Sequence, residues 1–360
     1  MDPIIYSLPI LNENIELKTM NIQYDTYPSP KLIKYGFNNI NENFDIESLT
    51  AVPQYRAGLG YDFDSIDKDS IRAKLEEFFG TKGINVTFAE FWEILILFDL
   101  CKGDQSVYTL HPSELDEITK TYSRLTNTKY KYMVDTDSGG KGAKPKPKSK
   151  SLVVWKYVDS GVDLGENACI QYLADHLGNL LSVQTQGANM ILQIFSIQTQ
   201  TSAEIIYYLS TLYTESYLLK SVVTSDLSDS KYLVLIGLKE PVTSPSVFEA
   251  LAANENANNY LLSIGIKNIP CTYSTVIQCM NADLIPKKYQ KYNQIKDYLD
   301  TKVYEGSTYQ ELLTVQNNNS ELWIKTFSDV SQINKKIESI IKKTSDKCSI
   351  FLRWNDMLDN

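Results

Sequence analysis

From residue 152 to residue 239 the chain alternates short apolar runs with longer amphipathic ones, and this rhythm restricts the fold more than any other feature. Leu152-Val153-Val154-Trp155-Lys156-Tyr157-Val158 has the length and β-branched content of a buried strand. Asn167 to Val183 then carries Ile170, Leu173, Leu177, Leu180 and Leu181 at helical spacing. Asn189 to Phe195 reads as a strand and Ser202 to Tyr213 as a helix. Leu218 to Val223 and Tyr232 to Leu238 read as two more strands, joined by the polar connection Thr224 to Lys231. Strands alternating with helices of roughly 10–15 residues predict an α/β fold, a mainly parallel, doubly wound sheet whose last two strands form an antiparallel hairpin.

Upstream the same rhythm is weaker. Ser70 to Phe79 predicts a helix, and Thr87 to Leu97 a strongly apolar one with Thr87 as candidate N-cap and Glu90 three residues on. Ser106 to Leu110 is a short strand, Ser113 to Leu125 an amphipathic helix, and Tyr130 to Val134 a second strand. Residues 1–83, rich in Asn, Tyr, Pro and Asp, read as an irregular N-terminal arm, and 84–242 as the α/β domain. Within the latter, the segment 138–151 (SGGKGAKPKPKSKS) reads as a solvated loop, because Gly and Pro disfavour regular structure. Its Lys141, Lys144, Lys146, Lys148 and Lys150 are the candidate contacts for RNA phosphate. Residues 243–360 read as a helical C-terminal region with amphipathic stretches at Tyr309 to Val315 and Ile333 to Ile341. The second stripe consists of Ile333, Ile337, Ile340 and Ile341. It predicts either docking on the α/β body or a protein interface, with Trp323 and Trp354 as anchors.

Charge and composition narrow the function classes. The formal charge of −9, from 35 basic and 44 acidic groups, disfavours broad capture of nucleic acid and limits RNA contact to a local patch. Five cysteines without a CxxC pair match a reducing compartment. The Met1-Asp2-Pro3 start lacks a basic, then apolar, secretory leader, and the longest apolar run, Ile94 to Phe98, is far short of a membrane span. The expectation is a soluble, cytosol-type protein, not secreted and not bound to membrane. No phosphate loop, GxGxxG, GxSxG or HExxH motif occurs. His111 and His176 are the two histidines, and Cys271 and Cys279 have no histidine nearby, so no metal is expected.

The order strand, Asp159-Ser160-Gly161, helix, Gly187-Ala188-Asn189-Met190-Ile191-Leu192-Gln193, helix, Tyr217-Leu218-Leu219-Lys220, Thr224 to Tyr232 and a final strand resembles a known arrangement. It is similar to the second half of the FtsJ-like RNA ribose 2′-O-methyltransferases, most of all those encoded by large cytoplasmic DNA viruses. Their corresponding segments read as an Asp-Gly turn, GGNMILK and KPxxSRxxNSExY. The closing Phe351-Leu352-Arg353-Trp354 also resembles the viral relatives. The resemblance implies a Rossmann-like methyltransferase fold. It also implies a Lys-Asp-Lys-Glu tetrad in which a lysine of lowered pKa takes the proton of the ribose 2′-hydroxyl.

Carried over residue by residue, the tetrad positions hold Trp92, Asp159, Gln193 and Ser230, so one of the four is kept. An amide at 193 cannot act as a base. The glycine-rich turn that the family uses for S-adenosylmethionine corresponds to His111, Pro112 and Ser113, where no glycine lets a ligand approach the backbone. The resemblance therefore implies a degenerate member, without catalytic residues or cofactor. Such a protein would serve as an interaction, assembly or structural module whose partner is an active methyltransferase, another mRNA-modifying subunit or a virion component. Two alternatives stay open: an active S-adenosylmethionine-dependent cap or RNA 2′-O-methyltransferase, and an unrelated nucleotide-binding α/β protein.

Overall fold

A computed structural model describes residues 2–10, 15, 17–27, 64, 66, 68–80, 84–128, 132–136, 150–157, 166–242, 251, 260–266, 268–301, 307–329 and 333–358. Its centre is a mixed sheet of seven strands: β1 (Ile4–Ser7), β3 (Gln105–Thr109), β4 (Tyr132–Thr136), β5 (Lys150–Trp155), β6 (Gln184–Ile194), β7 (Tyr213–Lys220) and β8 (Lys231–Leu238). They lie in the order β1-β7-β8-β6-β5-β3-β4. The half β4-β3-β5-β6 is parallel, and β8 runs antiparallel between β6 and β7, as the hairpin expectation requires. The chain is thus α/β, and its mixed sheet is compatible with a Rossmann-like fold. A small second sheet pairs β2 (Gln23–Asp25) with β9 (Tyr260–Ser263). Between Lys150 and Leu152 the register of β5 on β6 shifts; Gly187, at φ +79°, adopts a left-handed conformation that suits the added β6 residues.

Strand alternation sends neighbouring side chains into opposite cores. Val107, Leu152, Val154, Ile191 and Val234 face one layer, formed by α1 (Lys68–Phe79), α2 (Val86–Leu97), α3 (Pro112–Thr126), α7 (Ser307–Ser328) and α8 (Ile333–Leu358). Val153, Trp155, Met190, Leu192 and Leu235 face the other, formed by α4 (Glu166–Ser182), α5 (Gln200–Leu212) and α6 (Cys271–Thr301). Helices therefore cover both faces of the sheet, which is why its central strands are continuously apolar.

Several expectations are corrected. Ile4–Ser7, inside the segment read as irregular, is an edge strand paired antiparallel with β7. It is too short for periodicity to register, and Pro3 and Pro9 on either side are tolerated because the strand is at the edge. Asn85, not Thr87, caps α2, its Oδ1 accepting from the Phe88 amide at 2.8 Å. Tyr213 starts β7 instead of ending α5. Lys150 is not a loop residue but the first residue of β5; it is 3% exposed and donates to Ser106 Oγ at 3.2 Å, so it is no RNA contact. Lys141, Lys144, Lys146 and Lys148 lie outside the described residues.

The C-terminal segment docks on the α/β body. Ile333 and Ile340 are buried in the same core as α2 and the sheet, and Ile337 and Ile341 pack partly against it. Trp323 is fully buried there, whereas the side chain of Trp354 lies outside the described residues. Replacing Ile340 by aspartate forfeits about 1.5–3 kcal/mol of burial and adds the cost of a buried carboxylate. We expect global destabilisation in urea unfolding, with smaller losses for Ile337→Asp and Ile341→Asp. A fully stable Ile340→Asp chain would show the stripe to be surface.

Candidate functional site

The carboxyl ends of β3, β5, β6 and β7 and the amino end of β8 meet at one edge of the sheet. The connections from β3 and β5 diverge there, the position at which open α/β sheets form crevices. Two of the tetrad-equivalent residues come together at this edge. Gln193, opposite Tyr232 in the β6–β8 ladder, donates from Nε2 to Ser230 Oγ at 2.8 Å, and its Oε1 accepts from the Tyr157 amide at 2.9 Å. Both donor and acceptor of the amide are thus engaged with the protein itself.

Trp92 is not at this site. Its ring is fully buried against Phe79 and Phe88, and its indole N–H donates to the Phe327 carbonyl at 3.0 Å. The residue of α2 that reaches the site is Glu90, which sits on another face of the helix. Asp159 lies outside the described residues.

Glu90 anchors a buried polar network that was not read from the sequence. Its Oε2 accepts from Lys156 Nζ at 2.5 Å and from the Tyr232 hydroxyl at 2.7 Å, and its Oε1 accepts from Thr224 Oγ1 at 2.6 Å. Lys156 also donates to Thr87 Oγ1 at 2.9 Å. Burial works against the charged carboxyl, but the Lys156 ammonium and the two hydroxyls hold it below the usual range. Tyr232, buried beside that carboxylate, is pushed well above the ordinary phenol value. One turn on, Glu93 has no cation among the described residues. Burial raises it to about 7 against the opposing bonds from Trp323 Nε1, at 2.7 Å, and the Val222 amide, at 3.1 Å. The signal in the sequence is the pair of glutamates inside an otherwise apolar helix, since a fully buried acid needs partners.

At the turn that the sequence resemblance aligns with a cofactor loop, β3 leads through His111 into α3, with Pro112 in the first turn. His111 Nε2 donates to the Lys156 carbonyl at 3.3 Å and its ring contacts Phe91, so it bridges the ends of β3 and β5. Burial pushes its pKa below the ordinary value, which leaves the imidazole neutral. Ser113 donates to Glu114 Oε2 at 2.8 Å, and Asn85 Nδ2 donates to Oε1 at 2.9 Å. These partly exposed side chains are hydrogen-bonded to their neighbours, and the turn presents no glycine cradle, a poor fit to S-adenosylmethionine.

On the β7 side Lys220 lies under the connection Ser221 to Ser230. Its ammonium donates to the carbonyls of Ser225, Ser228 and Ser230 at 2.9, 2.6 and 3.1 Å and so ties the connection down from inside. Lys231 Nζ donates to the Phe195 and Asp229 carbonyls at 3.2 and 2.9 Å. Burial, and for Lys220 the charge of Lys231, lowers these lysines to about 7 and about 8. His176, with Nδ1 on the Tyr172 carbonyl at 2.8 Å and its ring against Tyr172 and Trp155, is structural. Among the described residues no group of three or more His, Cys, Asp or Glu is placed to hold a metal, and no helix is long and apolar enough to cross a membrane.

No model of a known protein family matches the chain. It is 42% identical over 355 residues to the uncharacterized protein R383 of Acanthamoeba polyphaga mimivirus, an alignment covering 97% of each chain. At that identity over nearly the full length of both, the chain belongs to the family of this mimivirus protein.

Proposed function

We propose that this chain is a catalytically inactive protein of FtsJ-like methyltransferase fold that acts as an interaction or assembly module. The setting is viral, in the host cytoplasm or the virion. Its partner is a protein: an active methyltransferase, another mRNA-modifying subunit or a virion component. The parallel sheet that ends in a reversed hairpin strand supports the fold reading. Membership in a mimivirus protein's family supports the viral setting.

The observation that carries the inactive reading is the Gln193–Ser230 pair. At the position of the base stands an amide whose oxygen and nitrogen are both bonded within the protein. Lys156, at the end of the neighbouring strand, is paired with Glu90 at 2.5 Å. The His111 turn without glycine adds to this, since an inactive module has no need of a cofactor cleft.

The test is methyl transfer from radiolabelled S-adenosylmethionine to capped and uncapped RNA, with calorimetry for binding of the methyl donor. The expected result is neither turnover nor binding. Gln193→Lys does not restore activity, because Trp92, Ser230 and the glycine-free His111 turn still depart from the family's pattern, and the change leaves the Tyr157 amide without its acceptor. Turnover by the unmodified chain would replace this reading by that of an active 2′-O-methyltransferase.

A further inference from the structure

A cavity of about 390 Å³ opens at the same end of the sheet, between the ends of β6, β7 and β8 and the middle of α6. It takes no part in the Gln193 or Glu90 networks. Five lysines line it against three aspartates, on a chain whose formal charge is −9. Lys220 and Lys231 approach from the sheet, whereas Lys287, Lys288 and Lys291 follow one face of α6.

The acids are largely spoken for. Asp229 pairs with Lys288 at 2.8 Å, and Asp2 pairs with Lys336 of α8 at 2.8 Å. Among the described residues Lys287 and Lys291 have no acidic partner. Lys231 gives two of its three N–H bonds to carbonyls, which leaves one. Lys220 gives three, so it has no donor left for a ligand. Gln198, Asn281, Gln290 and Gln294 add amides to the wall, and among the described residues no aromatic side chain lines it.

A cavity of this size lies at the small end of ligand pockets. Its cation excess is balanced by a ligand with several negative charges, and the absence of aromatic groups leaves no platform for stacking a base. We propose that this cavity binds an oligophosphate, the di- or triphosphate group of a small phosphorylated ligand such as a nucleotide. Lys231, Lys287 and Lys291 donate to it, while Lys220 and the Lys288–Asp229 pair hold the wall in place. The proposal does not depend on the methyltransferase reading.

Calorimetric titration of the full chain with inorganic tripolyphosphate at low ionic strength tests it. Saturable binding at one site is expected. The variant Lys287→Gln/Lys291→Gln weakens it by roughly tenfold or more. Its melting temperature is unchanged, because Lys287 is exposed and Lys291 half-buried on the helix surface. A nucleoside triphosphate binding as tightly as tripolyphosphate, or more tightly, marks a nucleotide as the source. Tripolyphosphate alone binding marks free oligophosphate. An RNA without terminal phosphate is the control for general anion attraction. The proposal is overturned if tripolyphosphate gives no saturable heat, if the double variant binds it equally well, or if the control RNA binds as tightly.

Discussion

Lys156→Met is expected to lower the unfolding free energy by about 3–5 kcal/mol, because it leaves Glu90 as a buried carboxylate without its cation. The double variant Glu90→Gln/Lys156→Met recovers much of that loss. A neutral amide costs far less to bury, and the Tyr232 and Thr224 hydroxyls that now donate to Glu90 can each turn to accept from it. The pH dependence changes sign between the parent and the single variant. In the parent the Glu90 pKa is depressed, so its contribution is present above the unfolded value near 4.5 and is lost as the pH falls through the folded one. Without Lys156, burial is opposed only by the Thr224 and Tyr232 hydroxyls and the folded pKa is expected to rise above the ordinary value, so that stability falls as the pH is raised through it. Urea unfolding of the three proteins at several pH values between about 4 and 8 measures both effects. A double variant no more stable than Lys156→Met would show that the pair does not act as a unit.

The second large effect is at Trp323, through which α7 is fastened to α2. Trp323→Ala opens a cavity in the fully buried core and costs about 3–5 kcal/mol. Trp323→Phe keeps most of the apolar contact but removes the indole donor to Glu93, at a cost of about 1–3 kcal/mol. Burial holds Glu93 at about 7 in the folded chain, against 4.5 ordinarily. A carboxyl raised in this way contributes stability at low pH that is lost as the pH climbs from about 4.5 to about 7. Losing the indole bond moves the folded pKa further up, so the Trp323→Phe loss is larger at about pH 8 than at about pH 5. Equal losses at both pH values would assign the effect to packing alone.

Glu90 and Glu93 are only half announced by the sequence pattern. They stand out as acids inside an apolar helix, but nothing in their spacing tells which finds a lysine and which an indole. The partners lie 66 and 230 positions away and are brought together only by the crossing of helices over the sheet. Trp92 shows the converse. An alignment can assign it to the site, yet a shift of two residues along a helix changes the face, and only packing decides that Glu90 points to the polar edge and Trp92 into the core.

Local periodicity was enough to read the alternation of strands and helices from 152 to 239, the hairpin at its end and the isoleucine stripe of α8. These features, like the amide at position 193, are legible in the chain because each depends on neighbours within one element. Features that depend on distant partners emerged only from the folded arrangement. Ile4–Ser7 becomes a strand because β7 offers an open edge. Lys150 leaves its lysine-rich segment because the β5 ladder begins with it. Lys220 and Lys231 meet Lys287 and Lys291 because α6 crosses the end of the sheet. In each case long-range pairing and burial outweigh the short-range preference of the segment.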